Sequence, residues 1–211
     1  MSHTVTVVFG GEREYEFPLR DADVGIIGQR IAAVAPGLGA GRQEIDARGL
    51  LVTPGFVDVH THFDGQATWD ARLWPTSQQG VTTAVMGNCG VGFAPVQADR
   101  HEWLINLMEG VEDIPGTALH EGISWGWETF PEYLDVIDRM PRVLDIGAQV
   151  PHAALRGYVM GDRGADHAEA PTAAEIDRMA QLVEEAIRAG ALGFSTSRSV
   201  AHKAADGRYT P

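Results

Sequence analysis

The sequence predicts an α/β protein, with a small β unit over residues 1–52 followed by the first half of a (β/α)8 barrel over residues 53–211. Three observations carry this prediction. Up to about Val52 the chain alternates briefly between apolar and polar residues and is cut by glycines. From Leu51 it turns to nearly continuous apolar runs, the mark of parallel strands buried on both faces, with helical segments between them. The third observation separates an open doubly wound sheet from a barrel. After the second run comes Gly87-Asn88-Cys89-Gly90-Val91-Gly92, but Pro95 stands where a dinucleotide-binding turn needs its third glycine. A complete barrel takes roughly 250 residues, so the four strand-helix units after Leu51 read as half of one.

Each element has its own local reason. In the first unit, Thr4 to Phe9, Arg13 to Phe17, Val24 to Ile27, Ile31 to Val34 and Gln43 to Ile45 are predicted strands, with hairpin turns at Gly10-Gly11 and Gly28-Gln29. The barrel strands are predicted at Gly55 to His62, Thr82 to Cys89, Leu144 to Pro151 and Ala191 to Thr196. Helix starts are marked by capping-box spacing at Thr76-x-x-Gln79, Thr129-x-x-Glu132 and Thr172-x-x-Glu175, and by Asp99 ahead of an acidic first turn at Glu102. The last helix, about Ala173 to Ala189, places Ile176, Met179, Val183 and Ile187 on one stripe suited to packing on a sheet, and Gly190 ends it.

Composition removes several functions. The chain has 211 residues, 44% hydrophobic and 21% charged, with 16 Lys and Arg against 29 Asp and Glu, a net charge of −13. A surface that tracks phosphates needs clustered basic residues, so nucleic-acid binding is not expected. Lys203 is the only lysine, which leaves no phosphate-binding loop of the G-x-x-x-x-G-K type and a single candidate for a pyridoxal Schiff base. No stretch approaches the ~18 apolar residues of a membrane span, and no signal-peptide pattern opens the chain. A cytoplasmic protein that does not bind membranes is expected, and its lone thiol, Cys89, fits a reducing compartment. Between His101 and Val150 the acidic residues far outnumber Arg139 and Arg142, which reads as a solvated face.

The chemistry is concentrated in Pro54-Gly55-Phe56-Val57-Asp58-Val59-His60-Thr61-His62. Residues two apart in a strand point to the same side, so His60 and His62 project together from its C-terminal end, where barrel enzymes build their active sites. That arrangement suits a metal ion. Cys89 is predicted to end the next strand, and neighbouring parallel strands lie about 4.8 Å apart, so its thiolate could join the histidines; an inert buried thiol is the alternative. Asp58 reads as structural, and Asp64 as a group that could orient a histidine. His152 reads as a hydrogen-bonded residue at the rim. His3, His101, His120, His167 and His202 read as surface residues, and Trp125 and Trp127 as packing of the insertion between the second and third strands.

The Pro54–His62 run, followed by Gly80-Val81-Thr82-Thr83 and Gly87-Asn88-Cys89-Gly90, resembles the amidohydrolase superfamily, and specifically its D-aminoacylase (N-acyl-D-amino-acid deacylase) branch, over essentially the whole chain. The resemblance implies a zinc site in which His60, His62 and Cys89 are ligands, the cysteine able to bridge two metals. It also implies that residues 1–52 are part of a small β-sandwich. Many relatives bridge their metals with a carboxylated lysine at the end of strand four; Ala191 to Thr196 contains none, which agrees with the cysteine-bridged branch. The family takes two more histidines from strands five and six and an aspartate from strand eight, so the site is expected to be incomplete before Pro211. No catalytic residue is therefore assigned within the chain, and the fragment alone is expected to be inactive.

The implied activity is zinc-dependent hydrolysis of the amide bond of N-acyl-D-amino acids, with a small-molecule substrate and a possible homo-oligomer. Two alternatives stay open: a metal-dependent hydrolase of cyclic amides or nucleobases on the same barrel, and a non-catalytic metal-binding fragment.

Overall fold

The computed structural model describes residues 4–9, 13–18, 20–112, 114–166, 168–197, 203, 207 and 209. The chain divides into two compact units, Met1–Thr53 and Pro54–Pro211. Among its described residues the first holds two antiparallel strand pairs. β1 (Thr4–Phe9) pairs with β2 (Arg13–Pro18), and β3 (Asp23–Ile27) with β4 (Arg30–Ala35) through a slip between Gly25 and Ile26. The β3–β4 turn is Gly28-Gln29, with Gly28 at φ 61°, a left-handed conformation open to glycine. The expected Gly10-Gly11 turn lies outside the described residues, as do His3, His167 and His202. Gln43 to Ile45 do not form the expected strand. The Glu44 carboxylate instead accepts the Gly41 amide at 2.7 Å, a local bond that competes with strand pairing.

The second unit is built on one parallel sheet. Its strands are β5 (Phe56–Asp58), β6 (Val81–Met86), β7 (Asp145–Pro151) and β8 (Gly193–Ser195), hydrogen-bonded in the order β5-β6-β7-β8. Sequential order is what a barrel wall requires; a doubly wound sheet would reverse direction at a switch point. Among the described residues five helices accompany it: α1 (His101–Glu112), α2 (Gly116–Gly122), α3 (Phe130–Arg139), α4 (His152–Met160) and α5 (Ala173–Ala189). Leu73, Met86, Phe93, Leu104, Met108, Tyr133, Val150 and Leu155 are among the core residues between sheet and helices. Among the described residues the outer strands pair on one side only, and Phe56, Val57 and Val59 near β5 and Leu192 and Phe194 near β8 are exposed.

The acidic stretch is the expected solvated face, with Glu102, Glu121, Glu128, Glu132, Asp138 and Asp145 all exposed. Trp127 is buried and donates its indole N–H to the Phe93 carbonyl at 2.8 Å. His101 departs from its surface assignment: it is half-buried and stacks on Trp125, ring centroids 4.0 Å apart. Arg156 is buried, and its guanidinium donates to the carbonyls of Gly164, Asp166 and Glu169, tying down the excursion between α4 and α5. Among the described residues no helix is long and apolar enough to cross a membrane.

Helix ends separate local from tertiary signals. Thr129 and Thr172 form reciprocal capping boxes with Glu132 and Glu175. Thr76 does not cap a helix, because the short 3-10 turn Thr76–Gln79 begins at Thr76 itself and places the hydroxyl inside the turn. α1 starts at His101, two residues after Asp99. α5 is also turned relative to the expected stripe. Leu182 and Ala186 are buried and Met179 and Val183 pack beside them, whereas Ile176 and Ile187 are 51% and 44% exposed. The helix packs on α3 and α4, which rotates its buried seam away from the sheet-facing stripe.

Replacing either cap, Thr129→Ala or Thr172→Ala, is expected to cost about 1 kcal/mol in urea unfolding. Thr76→Ala should change stability by less than about 0.5 kcal/mol. Equal losses at all three positions would contradict the capping assignment.

Candidate metal centre

The expected first barrel strand breaks before its histidines. β5 ends at Asp58, whose carboxylate accepts the His60 amide at 3.2 Å, so that amide is satisfied locally and leaves the ladder. The chain rejoins the sheet at Thr61, 6% exposed, whose amide and hydroxyl both donate to the Val85 carbonyl at 3.0 and 2.8 Å. With Thr61 turned inward, His60 and His62 stand side by side, ring centroids 5.5 Å apart and inclined at 65°. Asp58 shares their alternation along the chain, and its contact is with the backbone of His60.

Cys89 does not end a strand. β6 stops at Met86, Gly87 turns the backbone at φ 76°, and Asn88–Gly90 form one 3-10 turn with Cys89 at φ 56°. The backbones of the turn and β7 come close here: a β-carbon on Gly87 would lie 2.1 Å from the Gln149 carbonyl oxygen of β7. Only glycine fits there, and glycine also takes the left-handed turn without a β-carbon penalty. That turn carries the Cys89 sulfur to 3.1 Å from His60 Nε2. One donor atom from each of His60, His62 and Cys89 lies within 4.8 Å of the others.

A polar network holds the two loops. Asn88, 7% exposed, donates to the Thr61 carbonyl at 3.2 Å and the Val85 carbonyl at 2.8 Å, and its own carbonyl accepts Gln149 Nε2 at 2.8 Å. One side chain thus joins the ends of three strands. Ser195 donates its hydroxyl to the Gly87 carbonyl and accepts the Gly90 amide at 2.9 Å. Sequence reasoning gave these residues no role. Asn88 was visible within Gly-Asn-Cys-Gly, but Gln149 and Ser195 lie 61 and 108 residues from their partners and carry no local signal.

Burial sets the electrostatics. It pushes the Cys89 thiol up, and it pushes the 2%-exposed Asp64 carboxyl up to about 7, while the Gly87 backbone N–H works against the rise. Asp64 Oδ2 has no hydrogen-bond partner among the described residues. The Asp64 carbonyl accepts the Tyr133 hydroxyl at 2.8 Å, which fixes the segment just after His62. His152, the first residue of α4, bonds through Nδ1 to the Thr196 hydroxyl at 3.2 Å and meets the Phe194 ring edge-on.

The cluster fits a zinc-type ion. Two imidazoles and a thiolate are borderline-soft donors of the kind zinc takes, and bonds of about 2.0–2.3 Å in a tetrahedron put donors roughly 3.5 Å apart. The observed spacing, 3.1 Å between His60 Nε2 and Cys89 Sγ and up to 4.8 Å for the set, needs only small side-chain adjustments to meet that requirement.

Comparison with known proteins identifies relatives of the chain. The sequence model of the amidohydrolase family matches residues 43–209. The chain is 38% identical over 180 residues to D-aminoacylase of Alcaligenes xylosoxydans xylosoxydans, an alignment covering 85% of this chain and 34% of that protein. Its fold superposes on the crystal structure of a D-aminoacylase with TM-score 0.67 and 36% identity, over 84% of this chain and 34% of that one. It also matches N-acyl-D-glutamate deacylase from Bordetella bronchiseptica, solved with zinc and a phosphonate mimic of the tetrahedral intermediate, with TM-score 0.62 and 32% identity over 89% of this chain and 35% of that one. The chain therefore spans about a third of the length of the curated relatives it matches.

The glycine constraint yields a graded prediction. Gly87→Ala is expected to cost about 3 kcal/mol or more, since overpacking against the β7 backbone adds to the left-handed penalty. Gly190→Ala has φ 117° but nothing within 4 Å of the new β-carbon, so it should cost only about 1–2 kcal/mol. Urea unfolding of both variants checks the order, and equal costs would remove the close approach as the cause.

Proposed function

The chain belongs to the amidohydrolase family, and from that premise we propose that it forms part of a zinc-dependent deacylase that hydrolyses the amide bond of N-acyl-D-amino acids. The observation that carries the reading is the convergence of His60, His62 and Cys89 at the C-terminal end of two adjacent parallel strands. The relatives supply the substrate class, being a D-aminoacylase and an N-acyl-D-glutamate deacylase, the latter solved with zinc.

In this reading His60 and His62 contribute neutral imidazole nitrogens, and Cys89 loses its proton on ligation and serves as a ligand, not a nucleophile. These three residues would hold a zinc ion, and the chemistry it would supply is Lewis-acid polarisation of the amide carbonyl and a water acidic enough to give hydroxide near neutral pH. The protein's part is to hold three donors in fixed geometry, with the buried Thr61 and Asn88 keeping both loops in place. No residue of this chain is assigned as the general base.

Zinc analysis after dialysis, together with amine release from paired N-acetyl-D- and N-acetyl-L-amino acids, tests the reading in the full protein. Zinc is expected to co-purify, chelation to abolish amine release, and the D substrate to be preferred. Cys89→Ala should bind zinc at least ~100-fold more weakly, beyond the usual effect of losing a supporting residue. Unchanged zinc content in that variant would leave Cys89 as an inert thiol. Turnover of a cyclic amide in place of both N-acetyl enantiomers would favour the cyclic-amide reading.

A further inference from the structure

The turn that carries Cys89 is clamped at both ends by a single side chain from a distant strand. The Ser195 hydroxyl of β8 donates to the Gly87 carbonyl and accepts the Gly90 amide, bracketing Asn88 and Cys89 between its two bonds. A hydroxyl can donate and accept at once, which is what this pair of backbone groups requires. The turn also lies directly on β8 and its extension, since a β-carbon on Gly90 would sit 3.2 Å from the Thr196 α-carbon. Cys89 occupies the left-handed region at φ 56°, unusual for a residue with a β-carbon and maintained only where the surroundings over-determine it.

We propose that Ser195 is a positioning residue for the Cys89 sulfur, holding the Gly87–Gly90 turn so that the sulfur faces His60 and His62. The proposal rests on the reading of Cys89 as a metal ligand. Removing the hydroxyl unpins both ends of the turn and lets Cys89 relax toward ordinary backbone angles, which carries its sulfur away from the histidines. The histidines themselves stay in place, because the Thr61 amide and hydroxyl keep their own bonds to the Val85 carbonyl of β6. Thr196 cannot substitute, since its hydroxyl is engaged by His152. Loss of Ser195 therefore converts a site of two nitrogens and a sulfur into one of two nitrogens alone.

Cobalt(II) is the probe, because a thiolate ligand adds a sulfur-to-metal charge-transfer band that imidazoles do not. Ser195→Ala is expected to bind cobalt about 10–100-fold more weakly, the range for loss of a group that orients a ligand, and to lose most of that band. Ser195→Thr and Ser195→Val have nearly the same shape and differ in the hydroxyl, so they decide the matter should Ser195→Ala fail to fold. The threonine variant should keep the band and the valine variant should lose it. Wild-type affinity and band in Ser195→Ala, or equal behaviour of the Thr and Val variants, would overturn the proposal. Cys89→Ala separates this failure from that of the ligand reading. If that variant keeps the band, the sulfur was never a ligand and both readings fall; if it loses the band while Ser195→Ala keeps it, only the role of Ser195 falls.

Discussion

The approach of the Gly87 backbone to the Gln149 carbonyl is so close that a β-carbon cannot fit, and this glycine is the point from which the chain leaves β6 for the candidate site. β6 stops at Met86, and the glycine that this close contact requires also lets the chain turn left-handed there. The turn swings Cys89 back across the sheet, toward the histidines that follow β5. Had β6 run on to residue 89 as an ordinary strand, the position of the sulfur would have been set by the strand's two-residue alternation. It is set by the left-handed turn at Gly87–Gly90 instead.

A turn of this kind exposes backbone groups that the sheet no longer pairs, in a region where water has little access. Leaving such groups unsatisfied costs about 1–3 kcal/mol each, against a net gain near 1 kcal/mol for each bond made. Ser195 meets this requirement at the Gly87 carbonyl and the Gly90 amide, and the Asn88 amide bonds the neighbouring Thr61 and Val85 carbonyls while accepting from Gln149. The Val85 carbonyl receives three donors, from the Thr61 amide, the Thr61 hydroxyl and Asn88. The histidine segment and the base of the cysteine turn thus share one acceptor, while the Ser195 bonds hold the two ends of the turn itself.

How much of this was legible depended on how far apart the interacting residues lie. The boxes at Thr129 and Thr172 close within three residues, and the sequence spacing was sufficient to place them. Thr76 has the same spacing and fails, because its turn starts one residue earlier than the pattern implies. His60 and His62 were legible as a pair through their alternation. The break in β5 was not, since it depends on a bond from Asp58 to the backbone two residues on. Cys89 was expected beside the histidines and is found there, but the expected route, a strand end, was wrong. The α5 stripe failed for a related reason: which of two neighbouring faces is buried depends on α3 and α4, and these cannot be read from α5 itself.

The histidines follow an outer strand of the described sheet, where a ladder on one side would ordinarily leave the chain end to fray. Here Thr61 prevents it. Placed between the two histidines and facing the opposite way, it is buried and makes two bonds to β6 while receiving a third from Asn88. The alternation that presents His60 and His62 on one face therefore presents the anchoring residue on the other, so the donor positions and their restraint arise from the same three consecutive residues. A threonine suits that position better than a larger apolar residue. Its hydroxyl can follow its own amide to the Val85 carbonyl, and its branched side chain has few rotamers in which to do otherwise.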